Sequence, residues 1–378
     1  MAWFKPQSFL GVDIGAGGVK IVELKSEKKR PVLFTYGYTS ESQNIHDLFN
    51  GQGPEAASLL TESPRTEIRG AKDPLNEQIQ KYALVIKQVC KQAKTTSTSA
   101  MVSLPISAIF HTIVTLPAVK STEFDHLLKS EIKKLLPYPL EETALDYEII
   151  PTAPGSKMQQ AVINAVPKKL VSFYTSIFRA AGLNLVALEP ESTALMRSLV
   201  GRDTSLTMVV DMGAERTNFF IIDTAHTITH QSIEIGGNKI NKLLQTIWQV
   251  DERLVEQMKR DLFYRLMTEP DESVLSKEQF LDIFDTVLGP VLKEIEYSFA
   301  LYLQQGTNQG IRPEKIVITG GAGLFPYLTS YLADKFKIKC YVGDPWGRVV
   351  YQEGLKPLLN QMGPRMAVAI GLALRGIT

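Results

Sequence analysis

The chain carries only two cysteines, Cys90 and Cys340, far apart in 378 residues. Neither sits in a CxxC or Cys/His spacing, so a disulfide framework and a thiolate metal site are both excluded, and two idle thiols in a reducing cytoplasm is the plain reading. The five histidines (46, 111, 126, 226 and 230) are scattered, with no HExxH. His226 and His230 flank Thr-Ile-Thr in strand-like sequence rather than sharing a helical face, so no structural metal site is expected. Neither sign of charge dominates: 41 Lys and Arg stand against 40 Asp and Glu, a net +1 with no basic run. That balance gives no support for a general nucleic-acid binder. No apolar run approaches the roughly 20 residues of a membrane helix, and the start lacks the apolar core and cleavage site of a secretory leader. The opening MAWFKPQSF, with three aromatics and one lysine, leaves open a touch on a membrane surface or a frayed terminus.

What is present is a 44% hydrophobic chain too long for one ordinary core, which makes two domains the natural expectation. Runs at 8–14, 18–24 and 31–38 read as three consecutive strands, and the polar stretch 40–74 as a mobile insertion. Residues 75–92 place Ile79, Tyr82, Val85, Ile86 and Val89 at helical spacing. Further on, strands are expected at 99–104, 108–116, 144–150, 159–166 and 185–189, with helices at 121–136, 168–181 and 191–200. A strand–turn–strand theme returns at 206–222, before helices at 237–247, 251–266 and 277–304. A strand–glycine turn–helix unit at 315–336 and a buried helix near the C-terminus close the chain. Alternating strands and helices in two halves with matching first hairpins predict a duplicated α/β architecture.

The match between the halves is specific. Asp13-Ile-Gly-Ala recurs as Asp211-Met-Gly-Ala, 198 residues later (211 − 13). A glycine-rich hairpin turn brings backbone N–H groups close to an anion because no Cβ intervenes, a role that fits Gly15, Ala16, Gly17 and Gly18. The aspartate before the turn cannot bind phosphate directly. It can reach Mg²⁺ through water, since that ion keeps several waters and shares its shell with phosphate oxygens. Lys20 supplies a point positive charge, and Asp211, Gly213, Ala214 and Thr217 repeat the logic on the opposite wall. A P-loop or a dinucleotide fingerprint fails on spacing, because GAGGVK leads into a strand. Taken alone, such a turn is also what any tight hairpin uses. A third glycine turn, Thr319-Gly320-Gly321, follows a strand and would let backbone approach a base or sugar.

These three turns, in this order, resemble the actin/Hsp70/sugar-kinase ATPase superfamily. The resemblance makes residues 13–20 the first phosphate loop, 211–217 the second, and 319–323 the adenosine motif, with Gly320, Gly321 and Ala322 at its centre. LEPESTAL (188–195) and GPRMAVAIGLAL (363–374) are similar to the two connecting helices, and VEQMK (255–259) carries over Glu256 and Lys259 as adenosine contacts. Within the superfamily the chain resembles the PilM family of actin-like type IV pilus proteins, whose architecture is similar to that of FtsA. SEIKKLLPYPLEETALDYEII (130–150), Gly-Asp-Pro-Trp (343–346) and the ending GPRMAVAIGLALRG carry that resemblance most specifically.

The resemblance implies two RNase H-like halves around a nucleotide cleft with an FtsA-like inserted 1C subdomain. Residues 1–104 would open the first half (1A), 105–182 form the insertion, and 183–206 return to 1A and the first connecting helix. Residues 207–362 would form the second half (2A/2B), and 363–378 the last connecting helix. It implies ATP and Mg²⁺ as cofactors, with Asp13 and Asp211 as the metal-facing residues and Glu189 to orient a water. Ala16 and Glu215 depart from vigorous ATPases, so at most slow hydrolysis is expected. The implied partner is the N-terminal cytoplasmic peptide of PilN, held near Glu131, Leu135, Leu136, Pro137, Tyr138 and Pro139. Other inner-membrane platform and motor components would join it, placing the chain in the cytoplasm at the inner membrane's inner face through its partners; self-association is left open. Two alternatives stand beside this reading. An FtsA-like division tether would need an amphipathic tail, whereas the sequence stops at LRGIT. A small-molecule kinase would need a carboxylate base in a sugar-sized pocket, and no pattern offers one.

Overall fold

The computed structural model describes residues 7–39, 74–150, 155–251, 254–259, 261, 277–304, 311–325 and 327–377. The expected insertion at 40–74 lies outside these residues except for its last position, and the helix expected at 251–266 is described only at 254–259 and 261.

The first half is built on β1 (Ser8–Gly15), β2 (Gly18–Glu27), β3 (Arg30–Tyr38), β4 (Ser99–Leu104) and β8 (Asn184–Pro190), ordered β3-β2-β1-β4-β8. The second half uses β9 (Thr207–Met212), β10 (Thr217–Asp223), β11 (His226–Ile233), β12 (Lys315–Thr319) and β13 (Lys339–Val342), ordered β11-β10-β9-β12-β13. In each sheet an antiparallel three-strand meander is extended by two parallel strands. The central strands are covered on both faces, which is why they read as continuous apolar runs rather than alternating ones.

Helices α1 (Pro74–Ala93) and α3 (Lys168–Ala181) cover one face of the first sheet. Tyr82, Ile86 and Val89 of α1 meet Phe173, Tyr174 and Ile177 of α3 over Leu10, Val12 and Val19. Each such side chain, fully buried, contributes about 1.5–3 kcal/mol. In the second half, α6 (Lys277–Gln304) packs on β10 and β11, joined by α5 (Gly237–Trp248) and α7 (Leu328–Phe336).

Between the sheets lie α4 (Glu191–Leu195), continued by a π-helical turn at Met196–Val200, and α8 (Lys356–Arg375). One apolar cluster there draws Met101 from the first sheet, Val209 and Phe220 from the second, and Ala194, Ala367 and Leu372 from the two helices. The approach is tight: a Cβ on Gly11 would stand 1.9 Å from the Ala369 carbonyl oxygen. Glycine is what lets α8 lie directly on β1.

Between β4 and β8 the chain leaves the first half. It forms β5 (Phe110–Pro117), α2 (Ser121–Leu135), β6 (Thr143–Ile150) and β7 (Met158–Pro167), an antiparallel sheet ordered β5-β7-β6 under one helix. Its own small core holds Val114, Leu116, Phe124, Leu128 and Ile132. The boundary expected at 182 changes: α3 buries its apolar stripe in the first-half core, so the separate unit ends at Pro167.

Candidate functional site

A cavity of about 320 Å³ opens between the halves, and all three glycine turns reach it. From the first half come Asp13, Gly15, Ala16, Gly17 and Lys20; from the second, Asp211, Gly213 and Ala214; from the end of β12, Gly320, Gly321 and Ala322. The duplication explains the convergence, because each hairpin turn lies at the same end of an equivalent sheet. Gly320 has φ +85° and its missing Cβ would stand 2.3 Å from the Met212 carbonyl oxygen, so only glycine closes this turn. Residues Gly237 and Asn238 at the N-terminus of α5 also line the cavity, where the helix dipole favours an anion.

Two aspartates face each other across this space. Asp13 accepts from Lys20 Nζ at 3.0 Å and from Ser103 Oγ at 3.1 Å. Asp211 lines the cavity and is half-buried, and its pKa is pushed up to about 6. Burial is the main cause and the Asp13 charge the next; Lys20 and a hydrogen bond from Asn218 act the other way. Glu191 completes the acidic group. Burial, then Asp13 and Asp211, hold its carboxyl well above the usual range, although Asn218 Nδ2 donates to it at 3.2 Å. Among the described residues no three His, Cys, Asp or Glu side chains stand close enough to enclose a cation directly. Two carboxylates held apart across a wet cleft fit Mg²⁺ bound through its waters.

Several expected residues stand elsewhere. Glu189 is absent from the cavity walls: Arg197 grips it at 2.7 and 3.1 Å and Arg375 at 2.6 Å, on the far side of the β8–α4 junction. Held by both arginines away from the cleft wall, Glu189 is not placed to orient a water there, and Glu191 is the acid that enters. Thr217 Oγ1 donates to the Ile235 carbonyl at 2.6 Å and is fully buried, so its hydroxyl does not face the cleft. Gly18 pairs with Gly15 as the base of the hairpin, and Lys259 is buried beside Glu256 at 2.9 Å; neither lines the cavity. Glu256 does line it, accepting from Asn241 Nδ2 at 3.1 Å. Glu215 also lines it but is held by Asn238 Nδ2 at 2.6 Å, at the α5 N-terminus.

Sequence reasoning missed Glu191, Asn218, Asn238, Asn241 and Arg365 as cleft residues. For Glu191 a signal existed: it is a second carboxylate two residues beyond Glu189, directly after the proline that starts α4. The asparagines had none, because ordinary strand and helix positions reach the cavity only through packing.

In the small subdomain Leu135 is exposed at the end of α2, and Glu131 pairs with Lys134 at 2.8 Å. Pro137 and Pro139 are exposed and Tyr138 is half-buried. Leu136 is half-buried, packed against the small core, and so offers less surface than Leu135. A second cavity, again about 320 Å³, lies where this subdomain meets both halves, between Asn164 and Glu148, Thr193 and Arg197, and His230. No helix among the described residues is long and apolar enough to cross a membrane.

Comparison with known proteins accords with this arrangement. The solved PilM-PilN type IV pilus biogenesis complex contains a chain that superposes with a TM-score of 0.74 at 22% identity, covering 99% of this chain and 100% of that one. The ethanolamine utilization protein EutJ from Carboxydothermus hydrogenoformans superposes at 0.51 and 13% identity, over 98% of this chain and 90% of that one. The fold is that of the actin-like ATPases. The sequence model of the family described as "Type IV pilus assembly protein PilM" matches residues 68–377. The chain therefore belongs to the PilM family of type IV pilus assembly proteins.

Proposed function

We propose that the chain binds ATP and Mg²⁺ in the interdomain cleft and serves as a scaffold of the pilus assembly platform. The observation that carries this reading is the convergence of three glycine turns and two facing aspartates on one cavity. Asp13 and Asp211 would hold the cation through water, and Lys20 with the amides of both hairpin turns would meet the phosphates. Gly320 to Ala322, with Glu256, would border the adenosine. Bound Mg²⁺ would supply neutralising charge at the phosphates. Glu191 is the acid placed to handle a water, but burial and the charges of Asp13 and Asp211 disfavour its ionised form, the form that could act as a base. Slow turnover follows, with nucleotide acting as a clamp that stabilises the closed form by mass action. Calorimetry tests the site: Asp13→Ala and Asp211→Ala should each weaken Mg-ATP binding more than metal-free binding, and unchanged Mg-ATP affinity in both would end the assignment.

The partner in this reading is the cytoplasmic N-terminal peptide of a PilN-type membrane protein, held by the small subdomain. The solved PilM-PilN complex of the related chain supports the partner class. Leu135 and Tyr138 offer apolar surface beside the stiff prolines 137 and 139, a surface that suits an extended or helical peptide. The second cavity is the alternative seat, favoured by the packing of Leu136 against the small core, which leaves less apolar surface at the end of α2. Peptide titrations separate the two: Leu135→Asp with Tyr138→Ala should abolish binding on the first reading, and Thr193→Trp on the second. In cells the chain should sediment with membranes only when the partner is present; equal sedimentation without it would refute recruitment.

A further inference from the structure

The small subdomain meets the second half at a pair of histidines that the nucleotide reading does not use. His111 on β5 stacks on His230 on β11, with ring centroids 3.7 Å apart and planes within 11°. Phe220 closes the stack edge-on at 5.4 Å from His230. His111 Nδ1 lies 2.9 Å from Asn164 Oδ1, and its Nε2 lies 3.4 Å from the Ile228 carbonyl oxygen across the interface. His230 Nε2 lies 2.8 Å from Ser192 Oγ, while His230 Nδ1 is buried with no hydrogen-bond partner. Ser192 follows Glu191, so the stack is anchored on the same short helix that walls the nucleotide cleft.

Two neutral imidazoles can stack face to face. Two imidazolium rings with centroids 3.7 Å apart repel, although the cavity beside them lets in some screening. Burial accordingly holds both rings below the ordinary histidine value, with the His111 charge acting further on His230. We propose that the His111–His230 stack is a proton-operated latch, holding the small subdomain on the second half while both rings are neutral and releasing it when the pair is protonated.

The surrounding charges do not cancel this effect. Asp146 and Glu148 of β6 are exposed, and Glu189 is already neutralised by Arg197 and Arg375. His226 of β11 lies 3.5 Å from Glu148, which is 73% exposed, so that contact across the interface is weak. The sign follows from linkage. In the released form both rings titrate near the ordinary value of about 6.5, whereas in the closed form they stay neutral below it. The closed form is fully favoured above that value and loses up to about tenfold per pH unit per ring below it, or about 100-fold for the pair between pH 7.5 and 5.5.

Hydrogen exchange on the full chain, corrected for the intrinsic pH dependence of exchange, tests the latch. Protection of the outward-facing amides of edge strands β5 and β11, which no sheet ladder covers, should fall by up to about 100-fold from pH 7.5 to 5.5. The double variant His111→Phe/His230→Phe, which keeps an aromatic stack, should lose that fall. Both chains retain Asp211, which titrates near 6 in the cleft, so their difference isolates the pair. Ring ¹⁵N shifts of the unmutated chain decide the matter even where the variant does not fold. Both rings should be neutral at pH 6, and their protonation should coincide with the loss of protection. Rings that titrate near 6.5 while β5 and β11 stay protected would overturn the proposal, as would an unaltered pH response in the double variant.

Discussion

Asp211 is held where its charge is unfavourable, and the cost is large enough to measure. Its pKa rises from the ordinary 3.8 to about 6, because the carboxylate is desolvated and faces Asp13. That difference corresponds to roughly 3 kcal/mol, an upper bound because the group is only half-buried at the cavity wall. The folded pKa lies above the unfolded one, so the folded chain takes up a proton first. The stabilisation from that proton is fully present below about pH 3.8 and is lost as pH rises through 6. Asp211→Asn removes the charge while keeping an acceptor for Asn218. In chelator, denaturant unfolding should show the variant more stable than the parent by up to about 3 kcal/mol at pH 8, and by nearly nothing at pH 4. With Mg-ATP the order should reverse, because the variant has lost a group that faces the cation. A variant no more stable than the parent at pH 8 in chelator, or equally stabilised at both pH values, would refute the reasoning.

Two further substitutions separate the neighbouring glutamates. Glu191→Gln should leave Mg-ATP affinity within a few-fold and lower single-turnover hydrolysis by 10-fold or more, on the order of a positioned acid–base group; an unchanged rate would remove Glu191 from turnover. Glu189→Gln should do the opposite, leaving nucleotide affinity intact while destabilising the fold by about 3 kcal/mol, since Arg197 and Arg375 lose their buried partner. A midpoint of denaturation equal to the parent's would show that the arginines find other partners.

The duplicated plan was legible in the sequence because it is carried by local rules. Repetition of Asp-x-Gly-Ala marks two hairpins, and continuous apolar runs such as Met208 to Val210 mark central strands buried on both faces. The same locality made Asp13, Asp211 and the three glycine turns readable as one site, since each turn needs particular residues within a few positions of itself. What escaped depends on contacts between distant segments. Glu189 and Glu191 are equivalent to any pattern of spacing; the turn from β8 into α4 sends one toward Arg197 and Arg375 and the other toward the cleft. Helix α3 follows the inserted sheet in the chain yet belongs to the first-half core, because its apolar stripe matches α1 rather than α2. Leu136 and Leu135 are adjacent in sequence, and only the small core beneath them decides which one is partly covered. The two histidines, 119 positions apart (230 − 111), become a pair only once the small sheet is laid against β11. Local propensity selects the elements and their glycine turns, whereas the burial of charge and the pairing of remote side chains exist only after those elements pack.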